Sequence, residues 1–156
     1  MGTLEGETFC ECSSLEKIII PEGVRVIGYR AFSDCKSLKS ISLPDGLEKM
    51  GMRCFWKTGL EEIVFPASLR EVGPDAFYCC KRLKSVQLNE GLERLGTKEI
   101  LYDKEYEGSA FAYTAIESVR LPSTLKRIES WTFNYCRNLK SVKLPRGVEY
   151  IGEKCF

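Results

Sequence analysis

Eight cysteines and no histidine set the chemistry open to this chain. Thiolates ligate zinc, close disulfides or act as nucleophiles, and each role asks for a recognisable spacing or partner. No C-x-x-C spacing occurs, and no imidazole is present to complete a common zinc site or to activate a nucleophile. Phase within the sequence explains the thiols better. Cys12, Cys35, Cys80 and Cys136 share one place in a repeating pattern whose other two copies carry Thr58 and Thr114, while Cys54 and Cys155 stand where Ala31, Ala76 and Ala110 stand. A place that accepts Cys or Thr asks for a small, largely buried group able to donate a hydrogen bond to a turn carbonyl. Structural thiols, with no metal and no cofactor, are therefore expected. Cys12 and Cys35 are the one pair placed as immediate neighbours, close enough for a disulfide.

Other chemical motifs reduce to the same punctuation. Gly147, Gly152 and Lys154 faintly echo a phosphate loop, but Glu153 separates the second glycine from the lysine, and the same glycine spacing recurs at Gly23/Gly28, Gly46/Gly51 and Gly91/Gly96. With no histidine as general base and with carboxylates at outward positions, no catalytic residue is assigned and no enzymatic activity is expected.

The elements that position these residues are turns of a repeat. Phe32–Cys54 reads F-x-x-C-x-x-L-x-x-I-x-L-P-x-G-L-x-x-M-G-x-x-C, and Phe9–Ala31 matches it place for place. Repeats start at Phe9, Phe32, Phe55, Phe77, Phe111 and Phe133, and Phe156 stands where a seventh would open. Self-similarity at this period is the mark of a solenoid, whose units bury their apolar faces only by stacking. The alternation around Leu15, Ile18 and Ile20 predicts strands near 17–20, 40–43, 62–65, 85–88, 118–121 and 141–144. Pro21, Pro44, Pro66, Pro122 and Pro145 close five of the six. The corner at Ala31-Phe32 and its equivalents is too short for a full helix, so a 3-10 turn or one helical turn is expected there. Residues 1–8 read as a charged lead-in and a weak cap. The repeats from Phe55 and Phe111 run one residue short, and an insertion, Thr97–Glu107, is expected to loop out from the far side of the stack.

Composition is compatible with one domain, 1–156. The hydrophobic content is 44%, the net charge is +1, no apolar run reaches a membrane span, and no basic-then-apolar leader opens the chain. The charge gives no reason to expect nucleic acid, and membrane insertion is not expected.

The unit L-x-x-I-x-I-P-x-G-V-x-x-I-G-x-x-A-F-x-x-C, as in Leu15–Cys35, resembles the BspA-type leucine-rich repeats, and the resemblance runs from Phe9 to Phe156. It implies an α/β, β-rich leucine-rich-repeat solenoid, right-handed and curved, with a parallel sheet on the concave face and short 3-10 or helical turns on the convex side. It also implies a non-enzymatic protein-interaction module of the cell surface, often an adhesin or surface antigen, secreted or surface-bound. The alternative is a structural spacer or an intracellular, cytoplasmic scaffold within a longer array. Thr58, Thr114, the two shortened repeats and the insertion depart from the family pattern.

Binding is expected on the strand face, where the outward column reads Ile19, Ser42, Val64, Gln87, Arg120, Lys143, turning basic near Lys140 and Arg146. An extended protein partner with an acidic segment is expected across Gln87, Arg120 and Lys143. The flanking column Glu16, Lys39, Glu61, Lys84, Glu117, Lys140 alternates in sign, as a cross-strand charge ladder would. A secondary candidate is the insertion, whose Ile100, Leu101, Tyr102 and Tyr106 are more apolar than a free loop needs. Leu144, Val148 and Ile151 are expected to be partly uncovered, which would favour continuation into a longer array or end-to-end self-association.

Overall fold

One inward residue flanked by two outward ones, repeated every turn, makes a strand that can pair only with its own equivalents above and below. The computed structural model describes residues 2–156 and contains fifteen short strands: β1 (Thr3–Leu4), β2 (Lys17–Ile19), β3 (Val26–Ile27), β4 (Ser40–Ser42), β5 (Lys49–Met50), β6 (Glu62–Val64), β7 (Glu71–Val72), β8 (Ser85–Gln87), β9 (Arg94–Leu95), β10 (Glu99–Leu101), β11 (Lys104–Tyr106), β12 (Val119–Arg120), β13 (Arg127–Ile128), β14 (Val142–Lys143) and β15 (Tyr150–Ile151). The chain is a parallel β-solenoid of about six turns.

The strands read from the alternation are present, each a residue or two shorter than expected, as the pairs β2-β4, β6-β8 and β12-β14. Register places Ile19 beside Ser42, Val64 beside Gln87 and Arg120 beside Lys143. The pairing is interrupted between β4 and β6 and again between β8 and β12. Both breaks fall where a shortened repeat begins, at Phe55 and Phe111. Deleting one residue from the turn that feeds a strand displaces it from its neighbour, so pairing lapses although the strands still pack side by side.

A second ladder is longer and unbroken: β1-β3-β5-β7-β9-β13-β15, seven parallel strands. The five inner strands each supply one buried residue, Ile27, Met50, Val72, Leu95 and Ile128, while the end strands β1 and β15 are half-buried to exposed. The charged lead-in is more than a weak cap, since Thr3 and Leu4 pair with Val26 and Ile27 as the first strand of this sheet. Met1 lies outside the described residues.

The third side of each turn is the Ala-Phe corner, and it is not helical. No helix occurs among the described residues, so none is long and apolar enough to cross a membrane. Each corner is a chain of tight turns in which left-handed residues recur four apart, as at Arg30 (φ 51°) and Asp34 (φ 61°) or Arg53 (φ 56°) and Lys57 (φ 56°). A 3-10 or α segment cannot contain such residues. Their effect is to split the amides: Ser33 N–H donates within the corner to Arg30 O (3.0 Å), while Phe32 and Asp34 donate to Cys54 O and Trp56 O of the next turn (both 2.8 Å). Alternate amides thus bind up the stack, as in a sheet, which satisfies backbone groups that a helix would direct along its own axis.

Between the three sides lies the core. Phe9, Phe32, Phe55, Phe77, Phe111, Phe133 and Phe156 stack in one column with centroids 5.0–5.5 Å apart and planes within 11° of parallel. Phe65, the phenylalanine out of phase, packs on Phe77 (5.9 Å) and Phe111 (6.3 Å). Offset stacking at these distances is favourable beyond the area it buries.

Candidate functional site

Outward residues of the three strand pairs line up in one strip. Ile19 and Val64 are 68% and 57% exposed, and Ser42, Gln87, Arg120 and Lys143 are exposed as well. The two interruptions in pairing divide the strip into Ile19–Ser42, Val64–Gln87 and the basic pair Arg120–Lys143. Beside the basic part run two shallow depressions, one of about 470 Å³ along Ser85, Gln87, Glu90 and Arg120, the other of about 290 Å³ along Arg120, Ser123, Lys143 and Arg146. Glu90 lies in both. Its carboxylate accepts hydrogen bonds from Ser123 Oγ (2.8 Å) and Ser123 N–H (3.1 Å), which together with Arg120 hold its pKa below the ordinary value. Glu90 stays ionised and offsets part of the positive field of Arg120. Lys140 and Arg146 are exposed at the same end.

The flanking column from Glu16 to Lys140 forms no ion pair within 4 Å among the described residues. The charges that do pair stand one residue before strands of the seven-stranded sheet, where Arg25 meets Glu48 at 2.8 Å and Lys126 meets Glu149 at 3.7 Å. These exposed pairs contribute little to stability.

All eight cysteines are free thiols, Cys12 and Cys35 included. The place shared by Cys and Thr does the expected work: Cys35, Cys80 and Cys136 Sγ donate to Phe9, Phe55 and Phe111 O of the preceding turn at 3.0, 3.0 and 3.1 Å. Thr58 and Thr114 hydroxyls meet Cys80 and Cys136 Sγ at 3.2 Å, so the thiol and hydroxyl column runs through the shortened repeats. Burial pushes Cys35 and Cys155 up to about 11 and Cys80 up to about 12, and drives Cys54 well above the ordinary value. At neutral pH these groups are protonated and poor nucleophiles.

The insertion is an ordered hairpin, and it does not loop away from the stack. Strands β10 and β11 pair antiparallel through a turn at Tyr102 (φ 49°) and Asp103 (φ 59°). Its neck is a pair of glycines, Gly96 and Gly108, both at positive φ, joined by Gly108 N–H donating to Gly96 O at 2.8 Å. Gly108 then takes up the ladder, its carbonyl accepting from Asp75 N–H (3.0 Å), which is how eleven residues enter without shifting the register of the next turn. The hairpin returns over earlier turns: Glu99 Oε2 accepts from Met52 N–H (3.2 Å), Glu99 Oε1 lies 3.5 Å from Lys49 Nζ, and the Arg53 guanidinium sits 5.5 Å over the Tyr106 ring. Ile100 (69% exposed) and Tyr102 (84% exposed) point outward, whereas Leu101 and Tyr106 are half-buried.

A row of rings on the turn edge has no counterpart in the sequence reading. Tyr78 meets Tyr113 edge-on at 5.3 Å, and Tyr113 stacks on Tyr135 at 4.7 Å. Tyr78 directly follows its phenylalanine, while Tyr113 and Tyr135 stand one place later, so no single repeat phase reveals the row.

Short turns, three laddered sides and a phenylalanine column define a leucine-rich-repeat protein. The family of BspA type leucine rich repeat regions matches residues 2–102 and 104–156 in six copies, and the chain belongs to it. Among solved structures, a leucine-rich repeat protein of T. pallidum is 34% identical with a TM-score of 0.85, covering 97% of this chain and 66% of that one. A leucine-rich repeat protein of Bacteroides ovatus is 26% identical (TM-score 0.75, 97% of this chain and 43% of that one). A leucine rich cell surface protein of Faecalibacterium prausnitzii is 31% identical (TM-score 0.62, 95% and 40%). The chain thus spans less than two thirds of the length of each of these structures. No match was found among curated proteins.

Proposed function

We propose that this chain is a non-enzymatic protein-interaction module of a cell-surface protein, and that it holds an extended partner segment against the strand face. Membership in a repeat family supports the interaction role, and the similarity to a cell surface protein of Faecalibacterium prausnitzii supports the location. The single observation that carries the reading is the register. Parallel pairing sets Arg120 directly beside Lys143 and Val64 directly beside Gln87, giving two in-register pairs of outward side chains on either side of the break between β8 and β12. Rows fixed in this way lose little freedom on binding. The partner's chemistry follows from the row: an acidic stretch opposite Arg120, Lys143, Lys140 and Arg146, continued by less charged residues over Gln87 and Val64. Glu90 limits how many acidic groups the depression beside Arg120 accepts.

Panning a displayed peptide library on the protein tests this. Acidic extended sequences should be enriched, and Arg120→Glu with Lys143→Glu should abolish their capture without lowering the melting temperature, mainly by slowing association at low salt. Enrichment of peptides indifferent to this double reversal would remove the strand face from the account.

A further inference from the structure

The first shortened repeat leaves a notch on the turn edge, remote in role from the strand face. Where neighbouring turns have Cys35-Lys36-Ser37-Leu38 and Cys80-Lys81-Arg82-Leu83, the middle turn has Thr58-Gly59-Leu60. One side-chain position is missing and glycine occupies the floor. A Cβ on Gly59 would run into the Lys36 carbonyl, so no larger residue fits this backbone. The resulting notch, about 320 Å³, is lined by Lys36, Lys57, Lys81 and Arg82 around Gly59, with no carboxylate among the lining residues. Lys36 and Lys81 flank it two turns apart, roughly 10 Å at sheet spacing.

None of these four cations forms an ion pair within 4 Å among the described residues, although Arg25, Arg30, Lys49, Arg53, Lys98, Lys126 and Arg127 all do. The acidic group on the adjoining turn, Asp34, accepts from Ser33 Oγ at 3.0 Å and forms no ion pair within 4 Å among the described residues. Like charges held together with no carboxylate paired to them raise the local potential and make the notch a trap for a compact anion.

Aromatic rings continue from it along the same edge. Lys57 Nζ lies 4.1 Å from the Trp56 ring, Tyr78 precedes the notch residue Cys79, and the row runs on through Tyr113 and Tyr135 to Arg137, whose guanidinium is 5.8 Å from the Tyr135 ring. Tyr113 and Tyr135 are 37% and 49% exposed. From Lys36 to Tyr135 the edge spans four turns, roughly 20 Å.

We propose that this edge binds a sulfated oligosaccharide, a sulfate group seated in the notch and pyranose rings laid along the tyrosines. Dense tetrahedral anions match the unpaired cations, and the apolar faces of sugar rings match partly exposed phenol rings that carry a polar tip. A nucleic acid fits less well. Its phosphates recur at every nucleotide and call for cations alongside each stacked base, whereas the row beyond the notch has Arg137 at its far end.

Titration calorimetry of the intact chain with a heparin-derived octasaccharide tests the proposal. Lys36→Ala/Lys81→Ala/Arg82→Ala should weaken binding at least about tenfold and make it less salt-dependent. The charge-matched variant Lys140→Ala/Lys143→Ala/Arg146→Ala, on the strand face, should bind as the parent does, so failure here is distinct from failure of the partner-binding reading. Tyr113→Ala/Tyr135→Ala should weaken the octasaccharide while leaving inorganic sulfate binding unchanged, and the desulfated octasaccharide should not bind. Because every substituted residue in the notch is exposed, folding is checked simply by an unchanged melting temperature. Absence of octasaccharide binding, equal losses in the two charge-matched variants, or tighter binding of a single-stranded oligothymidylate would each overturn the proposal.

Discussion

Replacing Phe77 by alanine should be among the costliest single changes to this fold. The ring is fully buried and touches three others, Phe55 at 5.2 Å, Phe111 at 5.0 Å and Phe65 at 5.9 Å. Truncating a buried phenylalanine costs about 3–5 kcal/mol, and the three lost ring contacts place Phe77→Ala at the upper end of that range. Phe156 occupies the same repeat position but is 51% exposed and stacks on one neighbour, Phe133, at 5.5 Å. Phe156→Ala should therefore cost only about 1 kcal/mol, half the side-chain burial and a single stack being lost. Urea titration followed by far-UV circular dichroism compares them. Because each turn contacts mainly its neighbours, the central cavity should also broaden or split the transition as the turns on either side uncouple. If the two variants cost the same within about 0.5 kcal/mol, the additive picture of a continuous phenylalanine column is wrong.

The thiols give an alkaline prediction. Cys35, Cys80 and Cys155 have folded-state pKa values of about 11, 12 and 11 against an ordinary value of 9.0, so the folded state holds these protons more tightly. Their contribution is fully present below pH 9 and is lost as pH rises through 11–12, where the urea midpoint should fall; a flat midpoint to the top of that window would contradict the buried thiol column. Native alkylation at neutral pH, read by mass spectrometry, should modify the half-buried Cys10, Cys12 and Cys79 and spare Cys35, Cys54, Cys80, Cys136 and Cys155 until the chain is unfolded. Glu99→Ala should lower stability by about 1–3 kcal/mol, since it strands the Met52 amide, while Tyr102→Ala at the exposed tip should leave the melting temperature unchanged. Gly108→Ala should destabilise more than Glu99→Ala, because a Cβ there runs into the Ser130 backbone at a φ of +82°.

The strands around Ile18, Ile41, Ile63 and Val86 were legible because each lies in a run of alternating character closed by a proline or asparagine. The seven-stranded sheet was not, because each of its strands has two residues and one inward side chain. Lys49-Met50, Glu71-Val72 and Arg94-Leu95 carry a charge beside an apolar group and no run for a period to emerge from. Left-handed corners escaped for a different reason. Arg30, Arg53, Lys57 and Trp131 adopt positive φ without being glycine or asparagine, and the ladder bonds of their neighbours, which no local sequence encodes, hold them there. The hairpin turn at Tyr102-Asp103 likewise lacks the glycine that marks such turns. Of the candidate sites, the strand-face column was readable as soon as the period was known. The basic notch depends on a deletion acting through three dimensions, which brings Lys36 and Lys81 to either side of Gly59 although they are distant in the chain.

The most direct test of the interaction reading is amide chemical-shift mapping of the labelled protein titrated with an acidic extended peptide selected by panning. Shifts concentrated on residues 85–87, 119–120 and 140–146, lost in Arg120→Glu/Lys143→Glu, are the predicted result. Shifts confined to the 97–107 hairpin or to the turn edge around Gly59, with the strand-face amides unmoved, would contradict it.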